Sequence, residues 1–312
     1  MIVTRRIFGL LGAVALSALL SAAPATAQIA QVVSSTDTTR LVQHAGGETE
    51  VPAVPQRIVT LHNVFAEALT ALGLSPIGSV DRPSGMPSQL AEALADTASV
   101  GNHSEPDFEL VLGLEPDLIL AQESQQGDNY DRLTAIAPTL LLNEPEAEWR
   151  DWYHGLGEAL GQVEAADAAV AAYDEKAAAA KAALGERRAG ETVLLLRVRE
   201  KDMRVYGGAR RSGPVLYHDL GLTPHAMVPL GEDHLEISFE NLPELTADHI
   251  FIMVEDAEKM TTIEQSELWQ RLPAVQAGHV YKVNIEPWNQ SVGPISFAVI
   301  IDDVSAALLS GN

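Results

Sequence analysis

Short apolar runs alternate along most of this chain with segments whose apolar residues recur at helical spacing. Ile58 to Leu61 is the first such run, and Phe65, Leu69 and Leu72 follow it on one helix face that Gly73 stops. Leu74 to Val80 returns as a strand. A helix from about Phe108 to Leu114 leads into a strand over Leu118 to Ala121, and a helix around Tyr130 to Ile136 feeds a strand over Thr139 to Leu142. Strands alternating with helices predict an α/β lobe with a mainly parallel sheet. Residues 28–56, ahead of it, are polar with scattered Gly, Pro, Ser and Thr, and read as a leader segment.

From Gln162 to Leu184 the pattern changes. Twelve of these 23 residues are alanine, none is Gly or Pro, and Gly185 follows as a C-cap. The stretch predicts a helix of about 34 Å, a rigid strut between two halves. Beyond it strands are expected over Thr192 to Val198 and Met203 to Tyr206, a helix over Val215 to Leu220, a helix around Trp269, a strand over Val280 to Val283 and a closing helix from Ile295 to Leu309.

The two halves also repeat wording. DFELVLGLEPDLILA (107–121) is answered 131 positions later by SFENLPELTADHIFI (238–252): Phe108 by Phe239, Glu109 by Glu240, Leu114 by Leu245, Asp117 by Asp248. LGLSP (72–76) is likewise answered by LGLTP (220–224). The fold class is therefore α/β, two similar lobes bridged by one long helix. The expected limits are a signal peptide 1–27, the leader 28–56, an N-terminal lobe 57–160, the bridging helix 161–186 and a C-terminal lobe 187–312.

Composition narrows the setting. Arg5 and Arg6 precede an apolar run from Ile7 to Leu20, and Ala25-Thr26-Ala27 offers a cleavage pattern, so the start reads as a secretory signal cut after about Ala27. TRRIFGL also resembles a twin-arginine signal, leaving the export route open. The chain has no cysteine, which excludes disulfides, thiolate zinc sites and a lipid-anchored cysteine. Its formal charge is −23, and −25 once Arg5 and Arg6 leave. Such a surface repels phosphate backbones and argues against nucleic acid. A free monomer in the periplasm is expected. The chain has no G-x-S-x-G, no H-E-x-x-H and no Walker loop, so an enzyme is not expected.

In open α/β sheets ligands bind beyond the carboxyl ends of the strands. That rule points to Arg82 in Asp81-Arg82-Pro83, to His103 in Asn102-His103-Ser104, to Gln122-Glu123-Ser124, and to the stretch RVREKDMRVYGGARR (197–211). The last holds six of the chain's 20 basic residues in 15 positions, which marks it as an anion site. Arg197, Arg199, Tyr206, Arg210 and Arg211 are the candidates there, with Arg210 and Arg211 just ahead of a helix start.

The ordered motifs PQRIVTL, LGLSPIG, VGNHSEPDFELVLGLEPDLIL, LTAIAPTL, the alanine-rich helix, ISFENLPELTADHIFI, LPAVQAGHVYKV and EPWNQS, over about residues 50–310, resemble periplasmic binding proteins of ABC importers for ferric siderophores, cobalamin and haem. The resemblance implies a shallow ligand cleft between the lobes for a metal chelate, slight closure on binding, no covalently required cofactor, and two acidic residues, Glu109 and Glu240, that dock the permease. It also implies a ligand-side place for His234, as a direct Fe(III) ligand, and for Trp288, as an aromatic against the chelate. An anionic ferric siderophore suits the arginines best. Haem, with two propionates, and nearly neutral cobalamin are the alternatives in the same role. A site for free Zn²⁺ or Mn²⁺ would need the fold to assemble His62, His103, His218 and His234.

Overall fold

The computed structural model describes residues 30–81, 87–145, 148–290 and 292–310. The expected signal peptide and Arg82 lie outside them. The polar segment read as a leader instead forms a three-stranded antiparallel sheet, β1 (Gln31–Ser35), β2 (Thr39–His44) and β3 (Gly47–Pro52). Its alternation was masked because β1 is largely exposed and only Val42, His44 and Val51 of the other two strands turn fully inward.

The N-terminal lobe comprises β4 (Ile58–Thr60), α1 (Asn63–Ala71), β5 (Gly78–Asp81), β6 (Ala98–Asn102), α2 (Phe108–Gly113), β7 (Leu118–Gln122), α3 (Glu123–Gln126), α4 (Tyr130–Thr134) and β8 (Thr139–Leu142). Its sheet runs β6-β5-β4-β7-β8 and every pairing is parallel. Helix α5 (Trp149–Leu160), absent from the sequence expectation, then leads into α6 (Val163–Arg188). At 26 residues α6 is about 39 Å long. It passes through Gly185, and the Arg187 and Arg188 guanidiniums beyond that glycine donate to the carbonyls of Leu309 (2.5 Å) and Leu308 (2.7 Å) at the chain's last helical turn.

The C-terminal lobe is built on β9 (Thr192–Val198), β10 (Met203–Tyr206), β11 (Thr223–Pro224), β12 (His234–Ile237), β13 (His249–Val254) and β14 (Val280–Val283). Helices α7 (Ala257–Gln265), α8 (Glu267–Gln270) and α9 (Pro273–Ala277) precede β14, and α10 (Pro294–Leu309) closes the chain. The order is β12-β10-β9-β13-β14, with β11 also on β9; β10 is antiparallel to both neighbours and the rest is parallel. The helix expected over Val215 to Leu220 is a single π-helical turn, Pro214–Asp219.

The strands are apolar on both faces, as buried parallel sheets require. Leu118 and Leu120 face one way and Ile119 the other; Val193 and Leu195 oppose Leu194 and Leu196. One face of each sheet joins a single core that runs through Trp149 and Tyr153 of α5, Tyr173 and Leu184 of α6, and Phe297 and Ile300 of α10. Polar ties cross the same region. Tyr173 donates to Asp219 (2.6 Å), Arg150 pairs with Asp174 (2.6 Å) and Asp219 (3.4 Å), and buried Glu67 of α1 accepts from Ser296 N (2.8 Å) and Oγ (2.6 Å) at the start of α10.

The repeated wording occupies equivalent places. Helix α2 feeds β7, which lies beside β4, the first strand of its sheet; the 3-10 helix Phe239–Glu244 feeds β13, which lies beside β9, the first strand of the other. Asp117 accepts from the backbone N–H of Gln56 (2.7 Å) and Arg57 (2.9 Å), just before β4. Asp248 accepts from the N–H of Thr192 (2.7 Å), where β9 begins. Each echoed aspartate fastens the entry of its lobe's first strand.

Candidate functional site

The arginine-rich stretch folds as the antiparallel pair β9 and β10 followed by a tight loop. Arg197 and Arg204 are cross-strand partners, so their side chains share one face. Gly207 and Gly213 make the loop that follows. A Cβ on Gly207 would stand 2.0 Å from the Glu232 carbonyl oxygen, and one on Gly213 would stand 2.0 Å from that of Gly207. Only glycine permits that approach. Between them Arg211 is held at φ 58°, a region that strains any side-chain-bearing residue.

The result is a cavity of about 270 Å³ lined by Arg197, Arg204, Tyr206, Arg210, Arg211, Asp233, His234 and Asn289. Tyr206 accepts from Arg197 (2.6 Å) and donates to Asn289 (2.7 Å). Arg197 also pairs with Glu255. Burial works against its charge, but the bonds to Glu255 and Tyr206 outweigh it and hold its pKa above the ordinary arginine value. Arg204 is balanced by Asp202 and Glu236, both at 3.1 Å, and Arg210 meets Asp233 at 3.3 Å. Arg197 Nε, Arg204 Nε and Arg211 Nη1 are buried without a hydrogen-bond partner, as is Arg199 Nε outside the cavity.

Across from this wall stand the strand ends of the N-terminal lobe. His62, the N-cap of α1, follows β4, His103 follows β6, and Glu144 follows β8. The rings of His62 and His103 meet edge-on at 6.2 Å, and the His103 carbonyl accepts from Gln126 (3.0 Å). Glu144 bridges the lobes, 3.2 Å from His62 Nε2 and 2.7 Å from Arg211 Nη2.

The structure thus brings Arg197, Tyr206, Arg210, Arg211 and His234 to one cavity, with His103 on the opposite lobe. Arg199 is elsewhere, paired with Asp202 (3.2 Å) and Glu255 (3.4 Å). Trp288 has no exposed surface; it stacks on Phe251 at 5.2 Å and donates to Asp303 (2.7 Å), which makes it a core residue. His234 pairs across strands with Tyr206, their rings 6.3 Å apart, and is partly exposed. Arg204, Glu144, Asp233 and Asn289 also belong to the site and are not among the candidates the sequence singles out. Glu144 was findable by the strand-end rule already in use, since it follows β8 as His103 follows β6. Asp233 and Asn289 come from loops that only the tertiary fold brings to β10. Among the described residues no three His, Asp or Glu converge as a metal site.

Two α/β lobes, a continuous core bridged by α6, and an arginine-lined cavity facing the strand ends of the other lobe define a two-lobed ligand-binding protein. Residues 58–285 match the periplasmic binding protein family, and the chain belongs to it. A probable siderophore-binding lipoprotein of Bacillus subtilis, YfiY, is 30% identical over 292 residues, 88% of this chain and 89% of the relative. The Fe(3+) dicitrate-binding periplasmic protein FecB of Escherichia coli is 31% identical over 262 residues, 81% and 84% of the two chains. The crystal structure of Staphylococcus aureus SirA complexed with staphyloferrin B superposes with a TM-score of 0.73 at 28% identity, covering 86% of this chain and 98% of that one.

Proposed function

We propose that this protein is the extracytoplasmic solute-binding component of an ABC importer, that its cargo is a ferric siderophore, and that it hands this chelate to a membrane permease. The observation that carries the reading is the set of four arginines on one cavity wall. An anionic Fe(III) chelate matches such a wall in charge; cobalamin, nearly neutral, does not. The names of YfiY and FecB point the same way. Arg197, Tyr206, Arg210 and Arg211 bind the chelate in this account, and His234 at the cavity rim is the side chain able to complete an open iron coordination site.

Docking is assigned to Glu109 and Glu240. Both are exposed and sit in the first turn of the echoed helices, one per lobe, where the helix dipole favours negative charge. They form a two-point acidic face for basic residues on the permease. Signal cleavage near Ala27, periplasmic release and a monomeric state belong to the same proposal.

Recovery of the protein from iron-starved cells tests the cargo. The expected result is a bound iron chelate, identified by mass spectrometry and visible charge-transfer absorbance. Recovery with haem, shown by a Soret band, or with cobalamin would replace the cargo.

A further inference from the structure

Glu144 leaves the carboxyl end of β8 and crosses to the other lobe. Its Oε2 lies 2.7 Å from Arg211 Nη2 and 3.8 Å from Arg210 Nη2, and its Oε1 lies 3.2 Å from His62 Nε2. Its side chain is only 11% exposed. Placing a carboxylate there costs solvation that its partners must offset, and two of those partners line the ligand cavity. Arg211 uses one arm of its guanidinium on Glu144, while Nη1, buried, has no partner. The fork that could grip a carboxylate with two parallel N–H bonds is half used.

We infer that Glu144 is an internal counter-carboxylate: it occupies the arginine pair until a carboxylate of the ligand takes its place, and the cargo is a ferric chelate of the carboxylate, citrate-like class. This rests on the preceding reading that the cargo is a ferric siderophore. A neutral trihydroxamate chelate offers nothing of equal charge; it must leave Glu144 on Arg211 or strand a buried guanidinium. A tris-catecholate is anionic, but its oxygens are engaged with iron. A citrate-type chelate carries peripheral carboxylates free to take the place of Glu144 on Arg211 and Arg210. Glu144 then acts as a specificity residue, since a ligand too weakly charged to replace it is refused.

Calorimetric titration of the wild-type protein and of Glu144→Gln with ferric citrate, a ferric trihydroxamate and a ferric tris-catecholate tests this. Ferric citrate is expected to bind the wild type, and roughly tenfold tighter to Glu144→Gln, because the competitor's charge is gone. Weaker binding of ferric citrate to a Glu144→Gln protein that melts as the wild type does would overturn the assignment. A crystal structure of the wild type with ferric citrate gives an answer independent of the variant: Glu144 is expected off Arg211, and a retained pair would sink the idea. Wild-type binding of the hydroxamate or catecholate chelate without ferric citrate removes this inference and leaves the cargo a ferric siderophore. Silence toward all three removes both.

Discussion

Arg211 concentrates the chemistry of the cavity at the smallest scale. A strained backbone, a glycine on either side of its loop and a half-used guanidinium all serve one position. Replacing Arg210 and Arg211 together by Ala is expected to weaken an anionic ferric chelate by about 2–5 kcal/mol, read by calorimetry; unchanged affinity would remove both from the site. A second residue-level effect concerns pH. His44 is buried, its Nδ1 accepts the N–H groups of Gly46 (3.1 Å) and Leu141 (3.0 Å), and burial pushes its pKa down to about 4. Burial also lowers His225 and His249, and the hydrogen bond from His249 lowers Glu191. In each case the unfolded chain takes up a proton that the folded one resists: the histidine contributions are full above the ordinary histidine value and decline as pH falls toward 4, and that of Glu191 is lost only below the ordinary carboxylate value. His44 alone accounts for on the order of 3 kcal/mol of that loss. Melting temperature is expected to be flat near neutrality and to drop below about pH 6.5; a flat profile to pH 4 would contradict the histidine account. The arginine cluster was legible as composition, six basic residues in an acidic chain. Which of them face ligand was not, because Arg197 and Arg199 share the carboxylate of Glu255 and only the fold sets Arg197 against Tyr206 and the cavity.

Elements explain why the chain repeats itself. Asp117 and Asp248 each anchor the backbone entering a lobe's first strand, so the repeated aspartate belongs to architecture and the repeated glutamate, exposed eight positions earlier in the chain, is free for another task. Asp117→Ala and Asp248→Ala are each expected to cost about 1–2 kcal/mol in chemical denaturation, with ligand affinity unchanged. A loss of ligand affinity at equal stability would contradict that division of labour. The doubled α/β grammar and the alanine-rich helix were readable because buried parallel strands and unbroken alanine are strong local signals. The small sheet β1–β3 was hidden by its exposure, and α5 by glycines at 155, 157 and 161, two of which let it approach its neighbours: a Cβ at Gly157 would meet that of Ala166 at 2.7 Å.

Across the whole molecule, one core runs from the N-terminal sheet through α5, α6 and α10 to the C-terminal sheet. Such a joint resists large hinge motion between the lobes. Glu109→Lys with Glu240→Lys is expected to abolish iron uptake by cells while the purified variant keeps its ligand affinity; lost affinity in the purified variant would refute the docking role. The central claim is that the protein recognises an iron-loaded chelate. Calorimetric titration of the purified protein with iron-loaded siderophores beside their iron-free forms, haem, cobalamin and Zn²⁺ tests it most directly. Saturable binding of an iron-loaded siderophore, much weaker for its iron-free form, is the predicted result. Silence toward every ferric siderophore with a response to haem, cobalamin or zinc would contradict it.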